Sequence, residues 1–345
     1  MSYIFQEYKI PNPIQAYKFL IQELGLSMAQ SQSFINKGRV QYEGKILGNN
    51  EKNKIIKNSV NIMIFKSQSI GIKPIYENDD FAVFNKPAKM LIHPKGRFVH
   101  HSLLDEIYAY CGTQSSLIHR IDKETSGLVL VGKDSKRARE LGKILANRQI
   151  HKEYLALVKG KMAIPYPFGF TLPLALQPKG GDLSVRSVYL GQNSSIKSHT
   201  KTLRFKTAQS EFEVLGFLQG NTLLKAMPIS GRTHQLRLHL LALGHSILGD
   251  PLYGCLDCHS REYLDSELIR QGKTLGLDEV KRKEYFGASR LMLHAYKLQF
   301  CFKGVEYCFS TPFEIKESEI SESKEIKTYQ ATPKQNEDLD LIGEM

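Results

Sequence analysis

The chain has 345 residues, 41% hydrophobic and 24% charged, which suits two domains with a substantial core and excludes a chain disordered throughout. Its 47 Lys and Arg against 35 Asp and Glu leave a formal +12; residues 314–345, with nine acidic and four basic side chains, have a net −5, so the body has +17 and favours a polyanion, nucleic acid before an anionic membrane. No apolar run reaches the length of a membrane span, the N-terminus lacks a signal-peptide pattern, and five cysteines, an odd number, make no disulfide framework, so a soluble, cytoplasmic protein is expected.

Residues 1–13 read as an N-terminal segment and 14–66 as a small unit. There, apolar residues recur at helical spacing through Tyr17, Leu20, Ile21 and Leu24 until Gly25, and "SMAQSQSFINKG" gives a second helix closed by Gly38. "RVQYEGKIL" alternates as a strand with a turn at Glu43-Gly44. Lys37 and Arg39, with Lys45, form a compact basic edge, for which a solvated face is an equally good reading. Residues 67–74, punctuated by Gly and Pro, read as a linker.

Beyond it the pattern gives a strand over 81–84, a loop bounded by prolines, a helix over 102–110 and a strongly amphipathic helix in "SKRARELGKILANRQI". Strands follow in "KEYLALVKG" and "TLLKAMPI", and "RTHQLRLHLLALG" is a helix that Gly244 ends. Strands separated irregularly by helices and turns predict an α+β domain over 75–313 with a mixed sheet. Residues 255–290 read as a polar, irregular insertion, and 314–345 as a disordered acidic tail.

Phosphate-loop, dinucleotide and HExxH motifs are absent, so no cofactor is expected. Cys255, Cys258 and His259 have part of a zinc-knuckle spacing without a completing pair, and His234 and His239, five apart on one predicted helix, are poor joint ligands; no metal is expected. His234 and Arg237, three apart, share a face. "HRIDKETSGLVLVGKD" (119–134) runs from His119, Arg120 and Asp122 straight into an apolar strand, a rigid post that holds the residues entering it. Asp122 can serve as general base, metal ligand or covalent nucleophile, and Arg120 or Arg237 beside it would keep it ionised. The bland alternative is that it only brackets the turn before Ser-Gly.

In order along the chain, "NKPAKMLIHP" (85–94), "HRIDKETSGLVLVGKD", "KEYLALVKG" (152–160), "ISGRTHQLRLHLLALGHSILGDPLYG" (229–254) and "LMLHAYKLQF" (291–300) resemble the successive motifs of the RluA family of RNA pseudouridine synthases, over roughly residues 72–313. Residues 14–65 resemble the small ribosomal-protein-type RNA-binding domain often found in front, with "IQAYKF" where Arg-Leu-Asp is usual. The resemblance implies a mixed, largely antiparallel sheet with flanking helices and a central basic cleft, preceded by a small α/β RNA-binding domain. It implies isomerisation of uridine in RNA without cofactor or metal. By motif position, Asp122 matches the catalytic aspartate, Tyr154 the tyrosine stacked on the target base, Arg237 the partner of the aspartate, and Arg120 the arginine that holds the nucleotide out of its stack. Lys86, Arg232 and His234, with Lys37 and Arg39, are the expected RNA contacts. The expected target is 23S rRNA, with tRNA as the alternative, for a monomer that binds no membrane. A non-catalytic RNA-binding or ribosome-assembly factor and a nucleoside hydrolase are the competing readings, and the intact Asp122, Tyr154 and Arg237 set favours the synthase.

Overall fold

The computed structural model describes residues 3–48, 50–65, 69–93, 101–164, 166–176, 183, 186–189, 203–267 and 276–320. They form two compact units, one of residues 3–71 with 101–109 and one of residues 72–93 with 110–320.

The first unit holds β1 (Tyr3–Gln15), α1 (Ala16–Leu24), α2 (Met28–Asn36), β2 (Val40–Tyr42), β3 (Lys45–Ile46), β4 (Ile55–Phe65) and the start of α3 (Leu103–Cys111). Its sheet runs β1-β4-β2-β3, antiparallel throughout. Gly25 ends α1 in the left-handed conformation, and Ser27 and Gln30 close a reciprocal capping box on α2, each accepting from the other's backbone N–H. Phe19, Leu20 and Ile35 from the helices meet Ile10, Val40, Ile56 and Ile62 from the strands in one buried core.

The N-terminal segment 1–13, to which the sequence pattern assigns no element, is mostly strand. Pro11 and Pro13 disguise it, but β1 is an edge strand whose register breaks between Ile10 and Ile14, so the missing N–H groups cost the ladder little. Part of the expected linker is also fastened: the Ser69 hydroxyl and Ile70 N–H donate to the buried Glu106 carboxylate at 2.7 and 2.8 Å.

The second unit holds β5 (Tyr76–Glu77), β6 (Phe81–Lys86), β7 (Ser116–Leu117), β8 (Ser126–Gly132), α4 (Ser135–Ala146), β9 (His151–Val158), β10 (Phe168–Thr171), β11 (Leu174–Leu176), β12 (Ser187–Tyr189), β13 (Gln209–Leu218), β14 (Asn221–Pro228), α5 (Gln235–Ala242), α6 (Asp257–Ser266), α7 (Glu279–Phe286), β15 (Leu293–Phe302) and β16 (Val305–Ser310). The main sheet runs β10-β13-β14-β9-β15-β8-β6-β5, with β7 on β8 and β16 on β15. Its described pairs are antiparallel except β15 with β8, which makes the sheet mixed.

Every residue of β8 is buried, which explains its unbroken apolar run: a strand covered on both faces has no solvent side to alternate with. Leu128 and Leu130 pack with Phe81, Val83, Leu141 and Phe300, and burying each such side chain is worth about 1.5–3 kcal/mol. Gly127 has φ +110°, and a Cβ there would lie 2.3 Å from the Ala295 carbonyl oxygen, so only glycine lets β15 approach where the chain enters β8.

Residues 255–290, expected to be irregular, contain α6 and α7, whose Tyr263 and Phe286 are buried with Leu238, Leu252 and Tyr253. The start of the expected acidic tail is also ordered: Ile315 and Ile320 are buried and Glu319 accepts from Arg290 Nε at 2.7 Å. Residues 321–345 lie outside the described residues.

Candidate active site

Asp122 sits four residues before β8, and its backbone oxygen accepts from Thr125 N–H at 3.2 Å. The turn reading is therefore correct, but it does not occupy the carboxylate. Asp122 Oδ2 lies 3.2 Å from Arg237 Nη1 and 3.9 Å from His234 Nε2, with 29% of the side chain exposed. Burial would raise this carboxyl group, but the charges of His234 and Arg237, the hydrogen bond from Arg237 and the field of Lys86 outweigh it and hold the pKa below the usual value. Burial also pushes His234 below an ordinary imidazole, against the pull of Asp122, so at pH 7 the permanent positive charge beside Asp122 is that of Arg237.

Arg237 projects from α5 and is itself buried. Its Nε and Nη2 donate to Asp250 Oδ2 and Oδ1, both at 2.7 Å, a bidentate pair that leaves Nη1 pointing at Asp122. Asp250 Oδ1 also accepts the N–H groups of Leu252 and Tyr253 at 2.9 and 3.0 Å. Asp250 is thus tied down by four donors, whereas Asp122 keeps acceptor capacity for a substrate. The turn that delivers Asp250 depends on Gly249, at φ +75°, where a Cβ would fall 1.7 Å from the Arg290 carbonyl oxygen.

His234 and Arg237 converge on Asp122, His234 from the cap of α5, where it is left-handed at φ +56°, and Arg237 from within the helix. Its Nδ1 lies 2.7 Å from the Tyr253 hydroxyl, which already accepts Ser187 N–H at 2.7 Å. The Tyr253 hydroxyl thus holds the His234 ring by Nδ1 with Nε2 facing Asp122. The Tyr253 ring also lies under the Arg237 guanidinium, 4.9 Å from its centroid.

Tyr154 lies in β9 directly between Ala226 of β14 and Ala295 of β15, so the neighbouring strands put little bulk beside its ring. Burial first, and the Asp122 charge second, raise its hydroxyl well above the ordinary phenol value, so it stays protonated. His119, whose Nε2 accepts Leu130 N–H at 3.1 Å, is held neutral by burial, with Lys152 acting in the same direction, and its pKa falls to about 3. It braces the strand entrance.

Arg120, Asp122, Tyr154, Arg232, His234 and Arg237 all line one open cleft of about 1250 Å³ in the second unit. Arg120 and Arg232 are exposed within it, and Arg232 Nε donates to the Thr207 carbonyl at 3.1 Å. Lys37, exposed at the end of α2, and Arg39, 5.4 Å from the Phe34 ring centroid, belong to the first unit and do not line this cleft.

Lys86 is the clear correction. Expected to contact RNA, it is fully buried, and its Nζ donates to the carbonyls of Pro87, Met90 and Lys123 at 2.8, 2.9 and 3.0 Å. Burial lowers its pKa to about 7 against the pull of Glu124 and Asp122, while three carbonyl acceptors favour the three protons of the ammonium form. Its task is to hold the loop that carries Asp122.

Sequence reasoning missed three residues. Asp250 and Tyr253 stood in the quoted "GDPLYG" without being singled out. Glu124, also buried, accepts from Arg282 Nη2 at 2.6 Å and from the Tyr263 hydroxyl at 2.9 Å, while Lys123 pairs with Glu267. Helices α6 and α7 thereby grip the two residues after Asp122. Cys255, Cys258 and His259 do not converge: Cys255 Sγ lies 3.2 Å from the Ser260 hydroxyl, and the His259 ring stacks on Tyr285 at 3.9 Å.

The chain is similar to several known proteins. Residues 80–242 match the family model described as RNA pseudouridylate synthase. A Helicobacter pylori (strain J99) protein described as an "uncharacterized RNA pseudouridine synthase" is 34% identical over 314 residues, 90% of this chain and 96% of its own length. The ribosomal large subunit pseudouridine synthase D of Nitrosomonas europaea is 30% identical over 55% of this chain and 52% of its own. The fold is similar to the solved structure of human RNA pseudouridylate synthase domain containing 1, with TM-score 0.52 and 22% identity, covering 72% of this chain and 86% of that one.

Proposed function

The chain belongs to the RNA pseudouridine synthase family of RNA isomerases, and on that premise we propose that it isomerises uridine in large-subunit rRNA with Asp122 as the catalytic carboxylate. The observation that carries this reading is the contrast between two carboxylates on one arginine: Asp122 lines the cleft and takes one donor from Arg237, whereas Asp250 is buried away from the cleft lining and takes four donors. The rRNA target is supported by the likeness to the large-subunit enzyme of Nitrosomonas europaea.

In the proposed reaction the bond from ribose to uracil nitrogen 1 breaks, the uracil turns, a bond forms to its carbon 5, and the hydrogen of that carbon leaves to water while nitrogen 1 takes a proton. Attack by Asp122 on the ribose carbon, or removal of a ribose proton by it, requires the ionised form that Arg237 maintains. Glycosidases use two working carboxylates, one to protonate a departing group. A base that is kept and returned needs no such donor, which fits a site where the second carboxylate is tied up. The uridine must leave its stack, at a cost of a few kcal/mol; the exposed Arg120 is suited to hold the opened strand and the Tyr154 ring to receive the base. An rRNA substrate would also support a cytoplasmic location.

The test uses RNA labelled with tritium at uracil carbon 5, offered as separate 23S rRNA and tRNA fractions. Release into water from rRNA supports the proposal. Release from tRNA alone overturns the rRNA target, and free uracil among the products would make the protein a hydrolase.

A further inference from the structure

Helix α4 carries Lys136, Arg139 and Lys143 at intervals of three and four residues, which puts them on one stripe of its surface, and all three are exposed. Continuing the stripe by three residues gives Ala146, and Ala146 lines the catalytic cleft together with Arg148, which is also exposed. The other cations nearby are neutralised: Arg137, on a different side of α4, pairs with Asp80 at 3.0 Å and Asp134 at 3.4 Å, and Lys133 pairs with Glu77 at 2.9 Å. Glu140, four residues after Lys136 and three before Lys143, borders the stripe, yet among the described residues it forms no ion pair with either. Among the described residues, Lys136, Arg139, Lys143 and Arg148 have no carboxylate within ion-pair distance.

We infer that the stripe Lys136–Arg139–Lys143, continued by Arg148, is a phosphate track that guides the RNA strand flanking the target uridine along α4 into the cleft. At 1.5 Å per residue the stripe from Lys136 to Lys143 spans about 10 Å, enough to face roughly three successive phosphates of one strand. Paired cations would be useless for this, since each phosphate would have to displace a carboxylate. Bare ones release their condensed counterions on contact with RNA and gain affinity without reading sequence. The track leads into the cleft that Arg120 and Asp122 also line, so phosphate contacts set the strand's register before the base is opened. The inference rests on RNA being the substrate, and it names the surface outside the catalytic cleft that holds it.

The test is a salt titration of binding by the full chain to a 23S rRNA transcript and to poly(U). Replacing Lys136→Gln, Arg139→Gln and Lys143→Gln together should reduce the slope of log K against log salt by about 2 and weaken binding at 0.1 M salt by about tenfold or more. Arg148→Gln alone should reduce the slope by somewhat less than one, and Lys133→Gln, which loses only a paired cation, should change neither quantity. An unchanged slope in the triple variant overturns the track. Tritium release by the wild type separates the two readings: a reduced slope without release sinks the isomerase and keeps the track, and release with an unchanged slope does the reverse.

Discussion

Two carboxylates flank Arg237, and their hydrogen-bond partners set them apart. Because His234 and Arg237 hold Asp122 below the ordinary carboxylate pKa, the ionised form, and the stability its pairing supplies, are present above the unfolded value of 3.8 and are lost only as pH falls through the lower folded value. The acid limb of a pH–activity profile from Asp122 should therefore lie below 3.8 in the wild type. In Arg237→Met burial remains with one of its counter-charges removed, and the acid limb should move up; a profile that does not move would contradict the pairing. Lys86→Met should leave three buried carbonyls without their donor and cost about 3 kcal/mol in denaturant unfolding, with the salt slope of RNA binding unchanged. A reduced slope at normal stability would restore Lys86 to the RNA surface. Asp122 was legible because chemically capable residues preceded a buried strand. Lys86 was misread because a lysine in a basic chain looks solvated, and Asp250 was passed over because its role lies in which atoms it faces.

At the scale of elements, α6 and α7 act as a brace for the loop that carries Asp122. Arg282→Met would strand the buried Glu124 charge and should destabilise the protein by about 3–5 kcal/mol. Adding Glu124→Gln removes the stranded charge and should recover part of that loss; a double variant as unstable as Arg282→Met, or more so, would show that the ion pair is not the linkage. Sequence signals marked the helices with clean apolar spacing and a terminal glycine, such as α1 and α5. The caps of α7 were also present, since Asp278 accepts from Lys281 N–H at 2.8 Å and Gly287 is left-handed, but its charged sequence hid the buried side it presents through Arg282 and Phe286. Strand β1 was hidden by two prolines that a bulged edge tolerates.

For the whole molecule, charge is the property read most directly, and it constrains the partner more than the fold. A body at +17 should bind RNA with a strong salt dependence, losing about tenfold or more in affinity between 50 and 200 mM salt; salt-insensitive binding would mean that phosphate contacts contribute little. The α+β class was legible from the irregular alternation of strands and helices. The strand order was not, because pairing β9 between β14 and β15 depends on contacts between residues far apart in sequence. Among the described residues, no helix is long and apolar enough to cross a membrane.

The central claim is that the Asp122 carboxylate performs the isomerisation. It is tested most directly by tritium release from carbon 5 of labelled 23S rRNA with wild type and Asp122→Asn, which is nearly isosteric and removes only the charge. The account predicts release by wild type, none above background by Asp122→Asn, and RNA binding by the variant within a few-fold of normal. Release by Asp122→Asn at the wild-type rate would contradict it.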